Sequence, residues 1–385
     1  MRLKLLAQGH WQTTCAFALI VVFGACSEPK PQRGSPVGGE SSPEAGSVVE
    51  EVAGEVAGEV AGEVAGEVAG EGASEATPPE LSLEERLVMG LPVGPDRSRF
   101  DCRSVDSFEP PTSVTYDPLC PLNPSCQRRL IVAHRGAGGA LGYLAPENSL
   151  SAIRVALLMG VDGVELDVRT SADDELVLVH DSTVDRTTTG SGEVEQMTLM
   201  ELKALTLTPP PLRHPEAGEA DFSCEQVPTL HEALMMTQGR LFVDLDMKTS
   251  RVDLVLPLLT ELELLDEVYI SVSNAEVASR ARALEPRARV QIRPGSPEEL
   301  SELDELFGSG RSPEMIEVPS QRLEAFAPLM QGRSARLFTD GWGADFRAQA
   351  GELSAYTDLY ERGAEVVQSE LPLLILHALG RAQEP

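Results

Sequence analysis

Positive charge is scarce in this chain: 31 Lys and Arg stand against 61 Asp and Glu, a formal net charge of −30 over 385 residues. Nucleic-acid binding draws on basic patches that meet phosphates, so no nucleic-acid partner is expected. Long apolar runs are missing as well. The apolar run "CAFALIVVFGAC", ending at Cys26, has about a dozen residues, short of the roughly 20 that cross a bilayer. Among six cysteines and six histidines there is no CxxC pair and no histidine cluster, which argues against a zinc site.

What is present begins with a basic Met1–Lys4, that short apolar run, and the small residues Gly24 and Ala25. This is signal-peptide architecture over residues 1–25. The segment resembles a bacterial lipoprotein signal, which implies a lipid on Cys26 and an exported protein anchored to a membrane, in the periplasm or at the outer membrane or cell surface. Phe23 stands where that signal usually has Leu, and secretion without a lipid is the alternative. Cys102, Cys120, Cys126 and Cys224 then remain, enough for two disulfides in any of three pairings.

Residues 40–86 hold thirteen Glu and one Arg, a balance of −12 within the total of −30. Residues 51–70 are five copies of EVAG. Each Gly costs a helix about 1 kcal/mol relative to Ala, and the repeat has little to bury in return. Residues 26–90 therefore read as a disordered acidic linker, with a reach of roughly 40 Å. A binding repeat is disfavoured because it lacks aromatic anchors. Residues 91–128 form a cysteine-containing extension.

From residue 129 to the end at 385, strands alternate with amphipathic helices, the order of a parallel sheet. The strands are "RLIVAHRG", "GVELDVRT", "RLFVDLDMKT", "VYISVSN", "RVQIRPG", "EMIEVP", "ARLFTDG" and "AEVVQSE". Eight of them match a TIM (β/α)8 barrel, and a doubly wound open sheet is the alternative. "LVLVHD" follows "VELDV" too closely for a crossover helix, so it should return as a hairpin. A turn centred on Ala172 and Asp173 pairs Glu165 with His180 and Asp167 with Leu178, gathering Glu165, Asp167 and His180 on one face.

Barrel sites lie at the C-terminal ends of strands. Those ends carry His134 and Arg135, Glu165 and Asp167, His180, and Asp244, Asp246 and Lys248. Convergent carboxylates call for a hard divalent cation such as Ca²⁺ or Mg²⁺. With Arg135 for a phosphate and two histidines titrating near neutrality, the set suggests phosphodiester cleavage.

"VAHRGAGG", "APENSLSAIRVALLMGVDGVELDVRTSADDELVLVHD" and "STVDRTTTGSGEVEQMTLMELKAL" together resemble the glycerophosphodiester phosphodiesterase family. "VPTLHEAL", "LFVDLDMKT", "YISVSN" and "GAEVVQSELP" are similar more loosely. The resemblance implies a metal-dependent barrel that splits glycerophosphodiesters into glycerol 3-phosphate and an alcohol. It implies His134 and His180 as acid and base, Arg135 as the phosphate arginine, and Glu165, Asp167 and Asp246 as ligands of one divalent cation, Ca²⁺ or Mg²⁺. Glu147 and Asn148 would support the site, and Lys248 completes the triplet in which Asp246 replaces the family's usual Glu. Ser369-Glu370-Leu371-Pro372 likewise stands for Thr-Asp-Xaa-Pro. Trp342 is a candidate lining residue for the alcohol, while His214, His231 and His377 read as structural or surface residues. A lysophospholipase D-like activity and a catalytically silent head-group-binding barrel are the other readings.

Overall fold

The computed structural model describes residues 94–110, 117–137, 144–208, 220–307 and 312–381. The expected signal segment, the acidic linker, Cys26 and His214 lie outside the described residues.

Nine strands follow the sequence segments closely: β1 (Leu130–Ala133), β2 (Gly163–Thr170), β3 (Leu176–Leu178), β4 (Phe242–Met247), β5 (Val268–Val272), β6 (Arg289–Ile292), β7 (Met315–Glu317), β8 (Arg336–Asp340) and β9 (Val366–Ser369). Eight run parallel, and β1 pairs with both β2 and β9, so the sheet closes into a barrel. The intervening helices form where apolar residues recur at helical spacing between capping residues. Helix Leu150–Met159, for example, starts with the Ser149 side chain accepting from the Ala152 backbone N–H and ends on Gly160 at φ 74°, a left-handed stop that glycine adopts freely.

Alternate strand residues face the barrel axis. Toward the N-terminal ends they are apolar: Leu130, Val132, Phe242, Tyr269, Met315, Phe338 and Val366 pack into a floor. Phe242 and Tyr269 meet edge to face at 5.9 Å, and a Cβ on Gly163 would stand 2.7 Å from the Phe242 ring. One or two steps further along, the same inward registers become Glu165, Asp167, Asp244, Asp246, Gln291 and Glu317. The apolar floor fixes where the polar mouth begins.

A Cys120–Cys126 disulfide closes the loop beneath that floor. Arg336 at the start of β8 donates to the carbonyls of Pro121, Asn123 and Cys126 at 3.1, 2.6 and 3.1 Å and to Glu365 at 2.6 Å. The second disulfide joins Cys102 to Cys224 and fastens the extension to the barrel's flank. It closes a separation of 122 residues. Replacing both of its cysteines by serine is expected to lower stability by about 2–5 kcal/mol. Urea unfolding reads this, and an unchanged midpoint would contradict it.

The hairpin return is present, but its register differs from the sequence expectation by one residue. Val168 pairs with Leu178, Arg169 with Val177 and Thr170 with Leu176. The turn takes three residues rather than two: Ser171 N–H donates to the Glu175 carbonyl at 2.8 Å, and Asp174 closes the turn at φ 63°, a conformation Asp tolerates. The strand then ends at Leu178, and Val179 N–H donates to the Asp167 carbonyl at 3.2 Å. His180 therefore stands beside Asp167 rather than level with Glu165.

Candidate active site

The chain leaves β1 in an unusual way. Arg135 (φ 50°), Ala137 (φ 92°) and Asn148 (φ 53°) all occupy the left-handed region without being glycine, at a cost of about 1–3 kcal/mol each. The Asn148 N–H bonds to the Arg135 carbonyl at 3.0 Å, and the Arg135 N–H donates to Glu165 Oε2 at 2.9 Å. This distorted segment holds the His134 and Arg135 side chains over the barrel mouth.

His134 is bonded through Nδ1 to Glu370 Oε1, and its Nε2 lies 3.6 Å from Glu165 Oε2. Burial disfavours the ring's charge, yet Glu370 and then Glu165 outweigh it and push the pKa up to about 9. His180 is held by the same device, with Nδ1 2.8 Å from Asp181 Oδ1. A carboxylate at Nδ1 orients each imidazole and leaves Nε2 for proton exchange.

Three carboxylates cluster at the same mouth. One oxygen each of Glu165, Asp167 and Asp246 falls within 4.8 Å of the others. Glu165 Oε1 and Asp167 Oδ1 are buried with no hydrogen-bond partner, a costly arrangement unless something meets them. Burial, reinforced by the Asp167 charge, raises the Glu165 pKa well above the usual range, so that oxygen favours a proton or a cation. Asp167 is kept low against burial by Lys248, Arg135 and His180, and Asp246 by Arg293 and Lys248. Lys248 Nζ reaches Asp167 at 3.3 Å and Asp246 at 3.0 Å. Oxygen donors at this spacing, with Glu165 Oε1 unpartnered and Asp167 Oδ1 facing the Lys248 ammonium at 3.3 Å, fit a hard divalent cation.

The supporting residues have defined tasks. Asn148 brackets Asp167, donating from Nδ2 to Oδ2 at 2.6 Å while its Oδ1 accepts from the Asp167 N–H at 3.0 Å. Glu147 accepts from Arg135 at 2.8 Å. Arg135 Nε is buried, makes no hydrogen bond, and lies 3.6 Å from Asp167 Oδ2. Asp244, two residues before Asp246, instead accepts from Gln291 at 2.8 Å and is not among the three clustered carboxylates. Trp342 opens helix Trp342–Gln349 after β8, is half-buried, and stands 6.2 Å from the Phe346 ring. His231 is exposed on helix Leu230–Thr237, and His377 lies on helix Pro372–Ala378.

Several participants escape sequence reasoning. Glu370 signals only a displaced motif, not a partner for His134. Arg293 donates to Glu317 at 2.6 Å and pairs with Asp246 at 3.3 Å; its cue is inward alternation with Gln291 beyond β6. Beneath Glu370, buried Asp345 accepts from Tyr356 and Ser369, both at 2.6 Å, and from the Glu370 N–H at 2.8 Å. Burial pushes the Asp345 carboxyl up to about 7 despite these bonds. A raised acid pKa stabilises the fold fully below the ordinary value and loses that contribution as pH rises through the folded value. Asp345→Asn is thus expected to flatten the decline in stability between about pH 4 and 7, read from unfolding curves across that window. An unaltered slope would contradict the assignment.

The fold and its mouth define a class first: a (β/α)8 barrel with acids and histidines gathered at the C-terminal ends of its strands. Residues 134–290, within the barrel, match the sequence profile of the glycerophosphoryl diester phosphodiesterase family. A glycerophosphodiester phosphodiesterase of Caldanaerobacter subterraneus is 37% identical over 127 residues, 32% of this chain and 46% of that protein. Human glycerophosphodiester phosphodiesterase 1 is 41% identical over 138 residues, 36% of this chain and 38% of that one. The chain thus spans less than half the length of these curated relatives. In fold it is similar to a glycerophosphoryl diester phosphodiesterase of Parabacteroides distasonis, with TM-score 0.58, 22% identity, and coverage of 68% of this chain and 90% of that one. It is also similar to an Oleispira antarctica phosphodiesterase solved with the product sn-glycerol-3-phosphate, with TM-score 0.51, 23% identity, and coverage of 65% and 96%.

Proposed function

We propose that this chain is an enzyme that hydrolyses glycerophosphodiesters to glycerol 3-phosphate and an alcohol, using one divalent cation, Ca²⁺ or Mg²⁺, held by Glu165, Asp167 and Asp246. The observation that carries the proposal is the close cluster of the Glu165, Asp167 and Asp246 carboxylates, with Glu165 Oε1 buried and unpartnered, beside two carboxylate-held histidines. The product recorded for the Oleispira phosphodiesterase supports the choice of substrate class.

The cation supplies positive charge where a phosphate's charge grows in the transition state. The chain's own residues do the rest. The Arg135 guanidinium, whose Nε makes no hydrogen bond, and Lys248 orient the phosphate. One histidine takes the proton of the neighbouring glycerol hydroxyl as that oxygen bonds to phosphorus, and the other protonates the alcohol as its bond to phosphorus breaks. A water then opens the cyclic phosphate with the histidine roles exchanged. Glu147 and Asn148 hold Arg135 and Asp167 in place, and Trp342 lines the side of the departing alcohol.

Release of glycerol 3-phosphate from glycerophosphocholine by the full chain tests the reading, with a lysophospholipid in parallel. Turnover of glycerophosphocholine is the expected result. Turnover of the lysophospholipid alone would favour the lysophospholipase D reading, and tight binding without turnover a silent barrel.

We further propose that the protein is exported and anchored through a lipid on Cys26, with residues 26–90 as tether. Two disulfides suit an oxidising compartment, and among the described residues no helix is long and apolar enough to cross a membrane. Labelling with a radioactive fatty acid should mark the wild type and not Cys26→Ala, and equal labelling would overturn the anchor.

A further inference from the structure

Arg186 lies in the loop after β3, within the stretch "STVDRTTTG" that carries the family resemblance but not among the candidate site residues. Its guanidinium donates to both oxygens of Glu147, at 2.6 and 2.8 Å, and to both oxygens of Asp181, at 2.7 and 3.0 Å. Glu147 precedes helix Leu150–Met159 and also receives Arg135 at 2.8 Å. Asp181 follows β3 and holds His180 through Nδ1 at 2.8 Å. One planar cation therefore joins the carboxylate that orients Arg135 to the carboxylate that orients His180.

An exposed ion pair ordinarily contributes little, and about half of the Arg186 side chain is exposed. Two features set this one apart. It is doubly bidentate, a geometry that the guanidinium fork provides and a lysine ammonium does not. It also bridges two chain segments, one that places Glu147 against Arg135 and one that places Asp181 against His180.

We propose that Arg186 is a positioning residue, fixing the Arg135 guanidinium and the His180 imidazole relative to each other through Glu147 and Asp181. Arg135 and His180 both adjoin Asp167: Arg135 Nε lies 3.6 Å from Asp167 Oδ2, and the Asp167 carbonyl accepts at 3.2 Å from the N–H of Val179, the residue before His180. A phosphate held by one and a proton exchanged by the other must meet at one geometry, and misplacement by about 1 Å costs on the order of a hundredfold in rate. Arg186 is given no contact with substrate.

The inference rests on the proposed reaction for its kinetic readout but not for its spectroscopic one. The test uses the full chain with Arg186→Ala and Arg186→Lys. It measures kcat and KM on glycerophosphocholine, the ¹⁵N shifts of the His180 ring, and the melting temperature. In Arg186→Ala, kcat should fall on the order of a hundredfold with KM little changed, and added guanidinium ion should restore part of the loss. Arg186→Lys should stay slow, because one ammonium cannot span both carboxylates, and the His180 ring signals should move in both variants. If Arg186→Ala fails to fold, Arg186→Lys carries the test. A raised KM at unchanged kcat would overturn the proposal in favour of direct substrate contact. Full recovery in Arg186→Lys, or His180 signals that do not move, would overturn it as well. Absence of glycerol 3-phosphate release by the wild type would count against the proposed function, and the His180 signals would still decide the role of Arg186.

Discussion

Alanine at position 134 is expected to lower glycerol 3-phosphate release by about 10³-fold, the scale of losing a positioned acid or base. The ring is largely buried, with 12% of its side chain exposed, and stands between Glu370 at Nδ1 and Glu165 near Nε2. Glu370 is itself gripped through its backbone N–H by Asp345. Removing the imidazole also strips Glu370 of its cation partner. Breaking a buried pair costs about 3–5 kcal/mol, so activity loss alone would be ambiguous. His134→Gln, which keeps a hydrogen-bond donor for Glu370, should lose activity to the same degree while unfolding at a higher denaturant concentration than His134→Ala. Turnover within a few-fold of wild type in either variant would remove His134 from the reaction.

Glu165→Gln carries the second large effect, and here binding rather than turnover is the readout. Loss of outer partners of metal ligands costs about 10–100-fold in affinity, so loss of a ligand's charge should cost at least the upper end of that range. Calorimetric titration with Ca²⁺ and with Mg²⁺ measures it. The same substitution should leave the ion-free fold as stable as wild type or more so near neutrality. Glu165 has its pKa raised by burial and the Asp167 charge; such a group supports the fold below its ordinary pKa and ceases to do so as pH rises. A neutral amide removes that loss. Asp246→Glu, which keeps the charge and adds a methylene, should bind the ion within about tenfold of wild type, a far smaller change than for a missing ligand. Undiminished ion binding by Glu165→Gln would show that the carboxylate cluster is not the cation site.

How far the chain announced all this differs from element to element. The strands were legible because inward residues change from Leu130, Val132 and Phe242 to Glu165, Asp167 and Asp246 along one alternation, and a helix between each pair leaves only a parallel arrangement. The hairpin was legible in kind but not in register. Its length turns on whether Asp174 accepts a left-handed conformation, a choice of about 1–2 kcal/mol that composition does not dictate. Strand ends alone brought Glu165, Asp167, Asp244 and Asp246 to the mouth, and the family resemblance separated Asp244 from the other three. The grip of Glu370 on His134 spans a separation of 236 residues and depends on closure of β9 against β1. Arg186 gave no periodic signal, since loops are free of strand and helix spacing. The pairing of Cys102 with Cys224 was one of three until the packing of the extension selected it.

The central claim is that a divalent cation held by Glu165, Asp167 and Asp246 is required for hydrolysis of a glycerophosphodiester. The most direct measurement is the rate of glycerol 3-phosphate release from glycerophosphocholine by the full chain, before and after treatment with a chelator and again on adding back Ca²⁺ or Mg²⁺. The rate should fall to background with chelator and return with at least one of the two ions in wild type, but not in Glu165→Gln. A rate that the chelator does not touch, or that returns equally in Glu165→Gln, would contradict the claim.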